Sequence, residues 1–101
     1  MKNFRTFELA VQFYKLASTL TIKSHLKEQL LRASSSIALN LAEGRGKGTA
    51  KDQARFFHIA FGSVRESQAI LILANLESSE SWQKLDCLAA HLHKLIKNSG
   101  A

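Results

Sequence analysis

Apolar residues recur along the chain with the three- and four-residue spacing of α-helices, and not with the alternation of strands. In the first segment they extend from Phe7 to Leu20, and a short polar break, residues 21–24, follows. In the second segment the spacing is four, three, four, four: Leu26, Leu30, Ala33, Ile37 and Leu41. Ser24 can cap this second helix. Gly44 predicts its end, because glycine suits the left-handed position after a helix.

The second half of the chain predicts two more helices. Thr49, followed three residues later by Asp52, is typical of a capping box at the start of a third helix, which then continues to about Leu76. Ser78 or Ser79 can cap a fourth helix, whose apolar residues are spaced three, four, three, four: Trp82, Leu85, Ala89, Leu92 and Ile96. Four helices joined by short links favour antiparallel neighbours. The expected fold class is all-α, an antiparallel up-down-up-down four-helix bundle.

Composition supports one small globular domain, residues 1–101. Apolar residues make up 46% of the chain, charged residues 22%, and proline is absent, which leaves helices uninterrupted. The single cysteine, Cys87, excludes a disulfide framework. No apolar run approaches membrane-spanning length and no signal region is evident, so we expect a cytoplasmic protein with no membrane partner.

The formal charge of +6 makes polyanions, and nucleic acid first among them, the candidate ligands. On the third helix, four basic side chains fall within an arc of about 80°. Gly62 lies in the same arc and, because it has no side chain, leaves the helix surface low at that point. Two more basic residues stand on the preceding glycine-rich loop. The hypothesis is a nucleic-acid-binding surface, the basic surface, made of Arg45, Lys47, Lys51, Arg55, His58 and Arg65. The alternative is a solvated face.

The opposite side of the third helix is expected to face the bundle: Phe56, Phe57, Ala60, Val64 and Leu71. Beyond Ala69 the helix is apolar nearly all round, and such a turn is normally buried on every side. We therefore expect Ile72, Leu73 and Leu76 to contact another subunit. The alternative is a neighbouring helix that wraps far enough to cover them. No exposed row of aromatic residues for stacking bases is evident, so recognition of single-stranded sequence is not expected.

Glu43 stands in the last predicted turn of the second helix, where a carboxylate faces the negative end of the helix dipole. It is expected to pair with a cation, Arg45 or Arg65. With Gln29, Asn40 and Glu66 it could form a catalytic set, but such groups more often fix helix register or a subunit contact. The spacing of histidines, serines and glycines matches no metal, nucleophile or phosphate-loop motif. We expect no enzyme activity, metal, cofactor or small-molecule substrate.

Two motifs of the chain occur at a defined separation. The first includes Ser36-Ile37-x-x-Asn40-Leu41-Ala42-Glu43-Gly44, and the second is Phe56-x-x-Ile59-Ala60-x-Gly62-Ser63-x-x-Glu66. They resemble the motifs of the bacterial four-helix-bundle family of ribosomal RNA intervening-sequence proteins. The resemblance covers essentially the whole chain, with two departures. The link between the first two helices is short and lacks the family's usual aromatic and proline residues, and Ala38 stands where proline is frequent.

The same fold includes the accessory variability protein of diversity-generating retroelements, a homopentamer that binds nucleic acid through a basic surface and partners a reverse transcriptase. The resemblance implies a homo-oligomer, in particular a pentamer, and binding of RNA or DNA. It leaves an accessory role beside a reverse transcriptase open. The residues expected to serve structure or assembly are Asn40, Glu43, Gly44, Gly62, Glu66, Ile72, Leu73 and Leu76. The alternative is a protein–protein assembly module with no physiological nucleic-acid ligand.

Overall fold

A computed structural model describes residues 4–99, and within this range the chain forms four α-helices and no strands. The helices are α1 (Arg5–Ser18), α2 (Ser24–Arg45), α3 (Ala50–Leu73) and α4 (Glu80–Asn98). The prediction of an all-helical protein with four helices is therefore confirmed for the described part of the chain.

Two of the predicted helix caps are present. The Thr49 hydroxyl accepts a hydrogen bond from the Asp52 backbone N–H at 3.2 Å and begins α3. Ser79, and not Ser78, begins α4, where its hydroxyl accepts from the Trp82 N–H at 3.2 Å. Each cap satisfies one of the backbone donors that the first turn of a helix leaves without a helical partner.

The predicted cap of α2 is wrong. Lys23 occupies the N-cap position and makes no side-chain cap hydrogen bond, and Ser24 is already inside the helix. The helix begins one residue early because the Lys27 N–H reaches the Lys23 carbonyl at 2.9 Å. The Lys27 ammonium also donates to the carbonyls of Ser18, at 2.9 Å, and of Leu20, so it ties the short α1–α2 link to the end of α1.

Gly44 does not end α2. The helix continues to Arg45, and Gly46 follows in a right-handed conformation with φ −82°. Gly44 is buried, and a Cβ placed there would lie 2.8 Å from a ring carbon of Phe57. This glycine therefore allows α2 and α3 to approach closely. Glycine is needed here because α3 lies so near, and not because a helix ends.

The third helix is shorter than predicted and ends at Leu73. Asn75 adopts a left-handed conformation with φ 58°, which asparagine tolerates better than most residues. The Leu76 N–H then bonds back to the Leu71 carbonyl at 2.8 Å. This reversal returns Leu76 to the protein, where it is partly buried against the core.

The apolar sides of all four helices meet in a single core cluster. Helix α1 packs against α2 and α4, and α3 packs against the same two helices, so α1 and α3 are diagonal to each other. Large residues from every helix are fully buried, among them Phe13, Ile37, Val64 and Leu88. In residues 4–99 no buried side-chain nitrogen or oxygen lacks a hydrogen-bond partner. No helix in that range is long and apolar enough to cross a membrane.

Candidate nucleic-acid interface

Helix α3 packs against α2 and α4, so one of its sides faces outward. The basic residues lie on that side. Lys51, Arg55, His58 and Arg65 are all exposed, and Gly62 between them is exposed as well. The bundle-facing side of the same stretch is buried: Ala54, Phe57, Ala60 and Val64. The helix thus presents a cationic outer side because its apolar residues fix its rotation in the bundle.

Phe56 is half-buried and belongs to neither the core cluster nor the residues packed against it, contrary to the prediction that it faces the bundle. The Lys47 ammonium lies 5.1 Å from the centroid of its ring, and the Arg55 guanidinium carbon 4.8 Å from it. Cations at these distances from an aromatic ring are attracted to it. Phe56 therefore gathers a loop cation and a helix cation at one place, which residue spacing alone does not reveal.

The remaining two arginines lie apart from this centre. The Arg45 guanidinium carbon lies 4.4 Å from the ring centroid of Phe4, the buried residue that precedes α1. Arg65 lies 4.8 Å from the ring centroid of Phe61 and donates to the Gln68 side-chain oxygen at 2.9 Å. The structure thus brings Lys47 and Arg55 together, with Lys51 on the same first turns of α3. Arg45 lies at the end of the bundle, and Arg65 lies further along α3.

Glu43 has the cationic partner that its position predicts, but the partner is Lys47. One carboxylate oxygen lies 3.3 Å from the Lys47 ammonium, and the Glu43 side chain is 57% exposed. Arg45 and Arg65, the predicted partners, point to aromatic rings instead. Helix α2 ends at Arg45, but Gly46 keeps a right-handed conformation and the Lys47 N–H bonds to the Gly44 carbonyl at 3.1 Å. Lys47 therefore lies about one turn beyond Glu43, the spacing at which side chains meet.

The two sequence motifs meet between α2 and α3. The Ser63 hydroxyl of the second motif donates to the Ser36 hydroxyl of the first at 2.9 Å. The Asn40 amide donates to the same hydroxyl at 3.0 Å and to the Ser36 carbonyl at 2.9 Å. Both hydrogen bonds of Asn40 lie within α2, and Asn40 is connected to α3 only through the Ser36 hydroxyl. The role of Ser36 and Ser63 was not predicted, since it depends on how the two helices are paired.

An apolar patch continues the outer side of α3 beyond the basic residues. Ile72 is 50% exposed and Leu73 68% exposed, while Leu76 is partly buried by its own chain. The sequence did not predict three further exposed apolar residues: Tyr14 on α1, Leu39 on α2 and Ile59 on α3. Glu66, on the same side of α3, is also exposed.

Two cavities in the described part of the chain lie away from the basic surface. One cavity of about 440 Å³ lies between the α1–α2 link and the end of α3, and another of about 260 Å³ lies beside Cys87 on α4. None of the residues lining either cavity belongs to the basic surface. Residues 4–99 contain no cluster of three or more histidine, cysteine or acidic side chains able to hold a metal ion.

These features define a small four-helix protein with an exposed basic side and an adjoining apolar patch. The 23S rRNA-intervening sequence protein family matches residues 4–99, and the chain belongs to this family. This confirms the family that the two motifs predict; the relation to the retroelement protein stays a prediction. No curated protein and no solved structure gave a match.

Proposed function

We propose that this protein is a non-enzymatic nucleic-acid-binding protein that holds RNA or DNA against the basic surface, largely without regard to sequence. The observation that carries the proposal is the outer side of α3. Lys51, Arg55 and Arg65 are exposed there, and none of them takes part in an ion pair within residues 4–99. Cations gathered on one side without carboxylate partners attract an external polyanion.

Binding would proceed through phosphate contacts. Each lysine or arginine that neutralises a phosphate releases a condensed counterion, so affinity falls steeply with salt and depends little on base sequence. The contacts of Lys47 and Arg55 with Phe56 limit the motion of both side chains before the ligand arrives. Less side-chain freedom is then lost on binding, which favours affinity.

The proposal includes assembly. We infer an up-down-up-down bundle that forms a homo-oligomer, with Ile72 and Leu73 in the contact between subunits, because exposed apolar side chains favour burial against a second copy. Pentameric assembly and an accessory role beside a reverse transcriptase rest on the family resemblance. Several copies of the basic surface in one particle would strengthen binding to one polyanion through multivalency.

A protein–protein assembly module is the second candidate. It is favoured by the exposed apolar residues outside the basic surface: Leu39, Ile59, Ile72 and Leu73. Such a module would capture one protein partner in a manner insensitive to salt, because burial of apolar surface is not screened by ions.

Charge reversal of four residues tests the proposal: Arg45→Glu, Lys47→Glu, Lys51→Glu and Arg55→Glu in one variant. The matched control reverses four cations elsewhere, with the same change of net charge: Lys15, Lys23, Arg32 and Lys84. Binding of a fluorescent RNA or DNA is measured by anisotropy at low salt, and the helix content by circular dichroism.

We expect the first variant to lose binding while keeping its helix content, and the control to lose only the modest part that its lower net charge explains. Equal loss in both variants would show that net charge alone attracts the ligand. Unchanged binding in the first variant would refute the proposal.

A further inference from the structure

We propose that the nucleic acid taken by the basic surface is double-stranded, and that one of its sugar–phosphate strands lies against Gly62 in the middle of the outer side of α3. The inference rests on the proposed function and adds the form of the ligand and the place of closest approach. Three independent features of the structure support it.

The first feature is Gly62 itself. Glycine inside a helix lowers stability relative to alanine, so a helical glycine usually serves a close contact. Gly44 has such a contact within the chain, because a Cβ there would lie 2.8 Å from the Phe57 ring. A Cβ at Gly62 would meet no atom within 4 Å. The space above Gly62 is therefore available to an external ligand, and it lies one turn from both His58 and Arg65.

The second feature is the state of the aromatic rings. Proteins that bind single strands without sequence preference stack the bases on accessible aromatic side chains. In the basic surface the half-buried rings already carry the protein's own cations: Lys47 and Arg55 lie over Phe56, and Arg65 lies over Phe61. These rings hold phosphate-binding groups in place and do not form a stacking platform.

The third feature is shape and charge density. Single strands are commonly bound in a groove that follows their backbone, whereas the cavities of about 440 and 260 Å³ described above lie away from the basic surface. From Lys51 to Arg65 the outer side of α3 extends over about 21 Å of helix. A duplex places about twelve phosphates along this length and a single strand about six. A purely electrostatic surface favours the denser and stiffer polyanion.

The test compares four probes of about 16 residues or base pairs: an RNA duplex, a DNA duplex, and an unstructured single strand of each. Affinities are measured at the same salt and at equal phosphate concentration. We expect at least one duplex to bind at least about fivefold more tightly than its single strand, and the RNA and DNA arms to show which helix form is preferred. Single strands that bind as tightly would overturn this inference and leave the proposed function standing. Absence of binding to all four probes would overturn both.

Gly62→Ala tests the place of contact, with Ala90→Val as the control because it adds bulk at an exposed position of another helix, α4. We expect Gly62→Ala to weaken duplex binding at least about threefold without lowering the melting temperature, and Ala90→Val to leave duplex binding unchanged. Unchanged duplex binding in Gly62→Ala, with an altered oligomeric mass, would show that Gly62 contacts a second copy of the chain. That result would overturn the proposed contact between Gly62 and the nucleic acid. Unchanged binding and unchanged mass would overturn it as well.

Discussion

The outer side of α3 contains two regions of opposite chemistry. The first half carries Lys51, Arg55 and His58, whereas the end carries Ala69, Ile72 and Leu73, and all six are exposed. Both regions lie on one helix, and buried residues follow its inner side from Ala54 to Leu71. One helix can therefore present two different surfaces. A salt-sensitive contact suits the first, and a contact that buries apolar area suits the second.

The largest expected effect concerns the apolar region. Replacement of Ile72 and Leu73 by glutamate should lower the self-association constant at least about tenfold, because each side chain loses about 1.5–3 kcal/mol of burial and gains a charge in the contact. Light scattering over a concentration series measures this. Tyr14→Glu on α1, diagonal to α3, is the control.

If both variants keep the mass of the wild-type protein, the apolar region is not the subunit contact. A wild-type protein that is monomeric at every concentration would contradict the oligomer and weaken the argument from resemblance.

The next prediction compares the effect on stability of alanine at two glycines, one between helices and one on the outer side of α3. Gly44→Ala should destabilise the fold by about 1–3 kcal/mol, since its Cβ must displace the Phe57 ring. Gly62→Ala, in open space, should stabilise the fold by about 0.5–1 kcal/mol. Urea denaturation of the two variants measures the difference in free energy of unfolding. Equal shifts in both would mean that α2 and α3 are not in close contact at Gly44.

A smaller effect is expected at the α2–α3 contact that holds both regions of α3 in place. Ser63→Ala removes the hydrogen bond to Ser36 and should cost about 0.5–1.5 kcal/mol. Ser35→Ala is the matched control, because its hydroxyl bonds only to the Arg32 carbonyl within α2. Thermal unfolding followed by circular dichroism distinguishes them. A control as destabilised as Ser63→Ala would show that the bond between helices is not important.

The smallest effect is expected at Glu43. Glu43→Gln should change stability by less than about 1 kcal/mol, because its ion pair with Lys47 is exposed to solvent. The same change frees Lys47 and should raise nucleic-acid affinity slightly, by about twofold at low salt. An affinity that falls instead would indicate that Glu43 positions Lys47 for the ligand.

What the sequence predicted well is what depends on near neighbours. Helix number, the caps at Thr49 and Ser79, and the outward basic arc follow from spacing along one helix. The features that the sequence did not predict depend on residues that are distant along the chain. Gly44 was assigned to a helix end because no local signal shows the Phe57 ring that needs the space. The cations over Phe56 likewise depend on where a loop meets a helix.

The family could be recognised because its motifs contain both apolar residues with helical spacing and residues whose roles depend on a neighbouring helix. Gly44 allows the close approach of α2 and α3, and Asn40 holds the Ser36 hydroxyl that bonds to Ser63 of α3. Their individual roles required the paired helices. The end of α3 was misplaced for a related reason: residues 74–76 are apolar enough to continue the helix, but Asn75 reverses the chain.

The salt dependence of binding tests the central claim most directly. For a short duplex, the logarithm of the association constant is plotted against the logarithm of the salt concentration, for the wild-type protein and for Lys51→Glu/Arg55→Glu. With about four phosphate contacts the wild-type slope should be about −3.6, and the variant should bind weakly with a slope shallower by about two. Binding that is independent of salt, or a variant with the wild-type slope and affinity, would contradict the assignment of this side of α3 to nucleic acid.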